Sequence, residues 1–123
     1  MKGYLKEIHP VLPVKDVSKA LIFYIKKLGF EFAFSDDDQK PMYAGVKRDG
    51  IEIHLQWHDE KEWSVIDRPA LRFVTQHIEA LYNEYKTKQV FHKNTSLKKT
   101  DWRTQEFAFY DLYMNGLTFY RDL

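Results

Sequence analysis

Two stretches of this chain carry the same order of hydrophobic and polar positions. In the first, Ile8, Leu12 and Val14 fall on one face of an extended run and His9 and Val11 on the other. Pro10 and Pro13 exclude a helix there. Asp16 then stands where an N-cap belongs, and Val17, Ala20, Leu21, Tyr24, Ile25 and Leu28 recur at helical spacing up to Gly29, a terminator. FEFAFS reads as a strand, and MYAGVKRDGIEIHLQW as a hairpin closed at Asp49-Gly50.

The second stretch repeats the grammar. ALRFV is a short strand and HIEALYNEYKTKQ a helix with Ile78, Leu81, Tyr82 and Tyr85 on one face. VFHKN is expected to be a strand, and TQEFAFYD and LTFYR a last hairpin around LYMNG. Val17 falls on Ile78 and Tyr24 on Tyr85 at one constant offset, a repeat of pattern rather than of letters. The charged, proline-ended HDEKEWSVIDRP connects the halves.

The pattern predicts an α+β single domain over 1–123: module one at about 4–58, a linker at about 59–68 and module two at about 69–121. Two strand–helix–three-strand (βαβββ) modules would give an eight-stranded curled mixed sheet with a helix behind each half. Strand side chains alternate, so Ile51, Ile53, Leu55 and Trp57 are expected toward the helices. Glu52, His54, Gln56 and His58 then face the cavity.

Composition narrows the function classes. With 19 basic against 18 acidic residues there is no basic face to predict nucleic-acid binding. No run reaches the roughly 18 apolar residues of a membrane span, and no signal-like stretch is read at the start. A cytoplasmic protein is expected. The lack of cysteine excludes disulfides and thiolate ligands. Three Trp, eight Tyr and nine Phe leave aromatic material beyond the core for a pocket wall or a subunit interface. The acidic run SDDDQK reads as a solvated loop.

The motifs resemble the glyoxalase, bleomycin-resistance and extradiol-dioxygenase superfamily (the vicinal oxygen chelate fold) over nearly the whole chain. His9-Pro-Val-Leu-Pro-Val-Lys-Asp16, then Phe23-Tyr24 and Leu28-Gly29-Phe30, is similar to the first-module signature. Trp102-Arg-Thr-Gln-Glu-Phe107, then Asp111 and Asn115 before Leu117-Thr118-Phe119, resembles the closing segment of the bleomycin-resistance branch. That branch's Asp-Pro-Asp-Gly-Asn turn is here Asp111-Leu-Tyr-Met-Asn115, so the positive-φ residue is expected at Asn115 or Gly116.

Metal-dependent members take ligands from the first and last strand of each module. The resemblance places these at His9 and at Glu52, with His54 close by, but at Ala70 and Thr118 in the second module. An alanine and a neutral hydroxyl do not complete a site. His54 and His58 lie roughly 13 Å apart along a regular strand and cannot share an ion.

The resemblance therefore implies a homodimeric small-molecule-binding protein of the antibiotic-resistance type, with no metal or other cofactor. An aromatic or conjugated ligand would sit in a cleft between subunits, lined by His9, Glu52, His54, Gln56, Arg72, Trp102, Thr118 and Tyr120. Arg72 has two readings, an anion holder or an ion pair with Glu52 or Glu106. Trp102 is either a stacking platform or ordinary loop packing. Bleomycin itself is not indicated, because the chain is near neutral. The alternative is a metal-dependent lyase or dioxygenase using His9 and Glu52 or His54. A metal-free acid–base enzyme on the same residues is a further option.

Overall fold

A computed structural model describes residues 1–123. Module one runs β1 (Val11–Val14), α1 (Val17–Ile22), a π-helical turn (Phe23–Lys27), β2 (Glu31–Ser35), β3 (Tyr43–Arg48) and β4 (Ile51–Trp57). A short linker helix, α2 (Glu60–Trp63), follows. Module two runs β5 (Ala70–Val74), α3 (Ile78–Lys86), β6 (Lys98–Lys99), β7 (Thr104–Tyr110) and β8 (Gly116–Asp122).

Local chemistry sets the boundaries. Asp16 caps α1 by accepting the Lys19 N–H at 3.0 Å. Asp59 and Glu62 close a reciprocal capping box on α2. Asp49 and Gly50 both take positive φ (50° and 81°), as a two-residue hairpin turn requires.

Each module forms its own four-stranded mixed sheet, in the orders β1-β4-β3-β2 and β5-β8-β7-β6, with the first strand parallel to the last. The sheets are not hydrogen-bonded to one another, so the eight strands make two curled sheets rather than one. Helix α1 packs on β3 and β4, and α3 on β7 and β8. A single apolar core runs through both modules, from Leu12, Ile53 and Leu55 to Phe107, Leu117 and Phe119.

Three expectations need correction. VFHKN is not a strand; the fourth strand of the second sheet is the two-residue β6. Side chains occupy the edge of β7 instead: Thr95 Oγ1 donates to the Ala108 carbonyl at 2.9 Å, and His92 Nε2 accepts the Tyr110 N–H at 2.9 Å. The Asp111–Asn115 turn places its positive φ on Met114 (65°) rather than on Asn115 or Gly116. Asp111 Oδ1 fixes that turn by accepting the N–H groups of Tyr113 and Asn115 (2.8 and 3.0 Å). The extended run 7–14 is strand only from Val11, and Ile8 is exposed. Along β4, Ile53 and Leu55 are fully buried as expected, while Ile51 and Trp57 overrun the helix layer and stay partly exposed.

Two polar latches tie the modules together. In one, Tyr24 donates to Asp111 at 2.8 Å, and Asn115 Nδ2 bridges Asp111 and the Pro13 carbonyl. In the other, Arg48 grips both Glu84 oxygens (2.8 and 3.0 Å) and the Leu28 carbonyl (2.7 Å). Tyr85 donates to the same carbonyl. Burial pushes the Tyr85 hydroxyl up to about 12, so it stays a donor.

Gly29 ends the helical segment at φ 77°, and a Cβ there would lie 2.8 Å from Arg48 Nη1. Gly29→Ala is expected to cost about 1–2 kcal/mol from the left-handed backbone alone. Displacement of Arg48 would add to that. Urea denaturation checks this, and an unchanged midpoint would show that the latch is unimportant.

Candidate functional site

The faces turned away from the helices carry two polar clusters, one per sheet. On the first sheet, alternation along β4 sends Glu52 and His54 outward, and the β3–β4 register sets Gly45 beside His54 and Tyr43 beside Gln56. A bulge between Phe32 and Phe34 of β2 accompanies the turn of the Phe34 ring onto this face. That ring covers Gly45, where any Cβ would collide with it, and meets His54 edge-on at 5.1 Å.

His9 precedes β1, on a segment docked against β4 by the His54 N–H donating to the Pro10 carbonyl (2.9 Å). Its ring lies 4.7 Å from that of His54. Glu52 is the hub: its Oε2 is 2.7 Å from His54 Nε2 and 3.8 Å from His9 Nε2. His9 also reaches Glu7 at 3.2 Å. The His54 hydrogen bond holds the Glu52 carboxyl below its ordinary range, aided by the charge of His9 and opposed by desolvation. An ionised Glu52 can only accept, so His54 Nε2–H donates to it, while Nδ1 lies 2.8 Å from Tyr43 Oη, a hydroxyl that can donate or accept.

On the second sheet the hub is Glu106. One oxygen accepts from Thr104 Oγ1 (2.6 Å), Arg72 Nη2 (2.9 Å) and Trp102 Nε1 (3.3 Å). Burial pushes this carboxyl up, but the bonds from Arg72, Thr104 and Trp102 outweigh it and hold the group below its ordinary range. Arg72 also lies over the Tyr120 ring at 4.3 Å. The ion-pair reading of Arg72 is therefore the one realised, with Glu106 as its partner.

The eight residues named from the sequence thus divide. His9, Glu52 and His54 converge on one sheet, and Arg72, Trp102 and Tyr120 on the other. His9, Glu52 and Arg72 share a cleft of about 510 Å³ at the seam between the sheets. Thr118 pairs with Arg72 in register and lines a separate cavity of about 360 Å³ with Ala70, His92 and Tyr110. Gln56 is exposed and makes no side-chain hydrogen bond. His58 lies outside both clusters and pairs with Glu62 at 3.6 Å. Sequence reasoning missed Tyr43 and Phe34, and it named Glu106 only as a partner for Arg72. Counting outward from the Asp49–Gly50 turn would have found Tyr43.

The donor atoms of His9, Glu52 and His54 lie within 4.8 Å of one another. Two imidazoles and a carboxylate match the three protein ligands of an open site for a borderline divalent ion. The count is one more than His9 and Glu52 alone provide, and every donor belongs to module one. Ala70 and Thr118 supply nothing from module two. The residues fit a three-donor cap whose remaining coordination positions must be filled by something else.

A family model described as "Glyoxalase superfamily protein" matches residues 3–122. Bleomycin resistance proteins from Geobacillus stearothermophilus and Staphylococcus aureus are 27% identical over 129 residues, covering 93% of this chain and 95% of theirs. Among solved structures, the bleomycin-binding protein of bleomycin-producing Streptomyces verticillus, complexed with copper(II)-bleomycin, superposes with a TM-score of 0.74 at 25% identity over 97% of each chain. A glyoxalase-related enzyme from Clostridium phytofermentans shares the fold at TM-score 0.77 and 18% identity, covering 100% of both chains. With the family pattern matched from residue 3 to residue 122, this chain belongs to the glyoxalase superfamily.

Proposed function

We propose that this protein binds a small molecule, holding an aromatic or conjugated ligand between two subunits of a homodimer without a resident metal. The observation that carries this reading is a pair of aromatic-and-polar sheet faces whose Phe34, Trp102 and Arg72 side chains stand open to solvent around more enclosed polar hubs. Phe34, Tyr43, His54 and Glu52 form one, and Trp102, Arg72, Tyr120 and Glu106 the other. Phe34 is 37% and Trp102 64% exposed. A second subunit laying one face against the other type would close a cleft with aromatic walls and a few fixed polar groups. The curated relatives are named for bleomycin resistance, which supports binding as the role. Near-neutral charge argues against strong steering of a cationic drug.

The test is a titration followed by tryptophan fluorescence, using 2,2′-bipyridine and metal-free bleomycin as probes, with light scattering for subunit number. Saturable binding to a dimer without product formation is the expected outcome. Trp102→Ala is expected to weaken it about three- to tenfold, the worth of one aromatic contact. A monomer that binds neither probe sinks the reading.

A second reading, a metal-assisted lyase or dioxygenase, is favoured by the convergence of His9, Glu52 and His54. A divalent ion there would polarise a substrate oxygen. One tightly bound equivalent of metal in untagged protein, lost in His9→Ala, would put this reading first.

A further inference from the structure

We infer that the cavity between α3 and the β3–β4 turn is a second binding site, for a small amphipathic cation with an aromatic body and a primary ammonium head. It lies behind the second sheet, on the helix side, and shares none of the polar residues of the open faces. Its volume of about 430 Å³ falls within the range of small-molecule pockets.

The cavity is held in shape by groups that are already fixed. The Arg48–Glu84 latch keeps the β3–β4 turn beside α3, and the space enclosed between them is lined by both. The floor is aromatic: Phe73 stacks on Phe119 with centroids 4.6 Å and planes 10° apart, and Tyr85 meets Phe119 edge-on at 5.4 Å. Ile51, where β4 overruns the helix layer, forms part of the wall and is 39% exposed. An apolar ligand body would take that side chain out of water without any rearrangement of the core.

The sign of the ligand charge follows from the rim. Two carboxylates, Asp49 and Glu84, stand there against one guanidinium. Arg48 is committed: its Nη atoms donate to Glu84, the Leu28 carbonyl and the Tyr85 hydroxyl, and its Nε faces Asp49 at 3.5 Å. An anion would meet two carboxylates and find the Arg48 donors in use. An ammonium group finds acceptor oxygens with lone pairs to spare and one net negative charge. The start of α3 lies at the far end of the cavity without a side-chain cap, and Glu79 in its first turn offsets the positive end of the helix. From His77 to Glu84 the helix rises roughly 10 Å, a length that accommodates an indole ring with a two-carbon amine tail.

Ile51, Phe73 and Val74 also border the seam cleft, so one layer of side chains separates the two cavities. The experiment must therefore tell them apart.

Isotope-labelled protein is titrated with tryptamine, neutral 3-ethylindole and anionic indole-3-propionate, and backbone amide shifts are followed by NMR. We expect saturable shifts centred on residues 49–51 and 75–85, unchanged by excess 2,2′-bipyridine. Tryptamine should bind about three- to fivefold more tightly than 3-ethylindole, the worth of a partly exposed ion pair, with indole-3-propionate weakest. Asp49→Asn preserves the turn, because Asn before Gly accepts positive φ, and should bring tryptamine to within about twofold of 3-ethylindole. Ala80→Trp, at an exposed position of α3 on the cavity rim, should fill the space and weaken all three ligands at least about tenfold. If that variant does not fold, Asp49→Asn decides. The inference is overturned if no ligand gives saturable shifts, if the three bind alike, or if the anion binds best. Shifts centred on Phe34 or Trp102, or abolished by bipyridine, overturn it by placing the ligand on the open faces. None of these results counts against the binding reading of those faces, which stands on its own titration.

Discussion

Asp111→Ala is expected to lower the unfolding free energy by about 3–5 kcal/mol, the largest loss from any single side chain considered. The carboxylate accepts four hydrogen bonds: from Tyr24 Oη, from Asn115 Nδ2, and from the backbone N–H groups of Tyr113 and Asn115. Alanine leaves these donors without their acceptor, and those buried with no route to water cost about 1–3 kcal/mol each. Tyr24 is 1% exposed, and burial, the largest cause of its raised hydroxyl value, persists after the substitution, so the hydroxyl stays protonated with its donor unpaired. The lost turn would also loosen Asn115 from the Pro13 carbonyl, a direct link between modules. Tyr24→Phe serves as the measured comparison: it removes one donor and leaves the turn intact, so it should cost only about 1 kcal/mol. Urea denaturation of both variants gives the ratio. A loss below about 1 kcal/mol for Asp111→Ala would mean that β7 and β8 hold this turn without the side chain.

That turn also marks where sequence reading reaches its limit. The motif Asp111…Asn115 announced a tight turn, and its chemistry is present, yet the left-handed residue is Met114. Two backbone bonds to one Asp111 oxygen determine the path more strongly than the residue preference for positive φ. Elsewhere, short-range rules sufficed. The Asp16 cap, the Asp49–Gly50 turn and the alternation along β4 act over a few residues; the first two are realised, and the third holds at the centre of the strand, where Ile53 and Leu55 are buried. VFHKN failed because a strand needs a free partner edge. Here His92 and Thr95 side chains occupy the edge of β7, a long-range fact that no local pattern contains. The candidate site divides in the same way. Alternation put Glu52 and His54 on one face, while the approach of His9 depends on how the segment before β1 docks. The role of Glu106 depends on three partners brought from β5, β7 and the loop after β6.

Glu106→Ala is expected to change what the second sheet face selects. Glu106 anchors Trp102 and neutralises Arg72, whose side chain is 47% exposed and lies over Tyr120. Without the carboxylate, water can satisfy Arg72 and Trp102. Thr104, which is buried, loses its bond to Glu106 but keeps the Thr100 hydroxyl at 2.7 Å as a partner, so the stability cost should be near the net value of one hydrogen bond, about 1 kcal/mol. Binding should shift further in kind. Trp102 loses its anchor, so free 2,2′-bipyridine should weaken about as much as in Trp102→Ala. An unpaired Arg72 should favour an anionic relative, 2,2′-bipyridine-4,4′-dicarboxylate, about tenfold over wild type. An unchanged preference between the two probes would place Glu106 outside the binding face. Acid gives an independent check. The folded-state value of Glu106 lies below its ordinary 4.5, so the stability it carries is complete above that value and is lost as pH falls through the lowered one. The stability gap between wild type and Glu106→Gln should therefore close only in acid below about pH 4.5, the ordinary value, and a gap already closed at neutral pH would show that the carboxylate stabilises nothing.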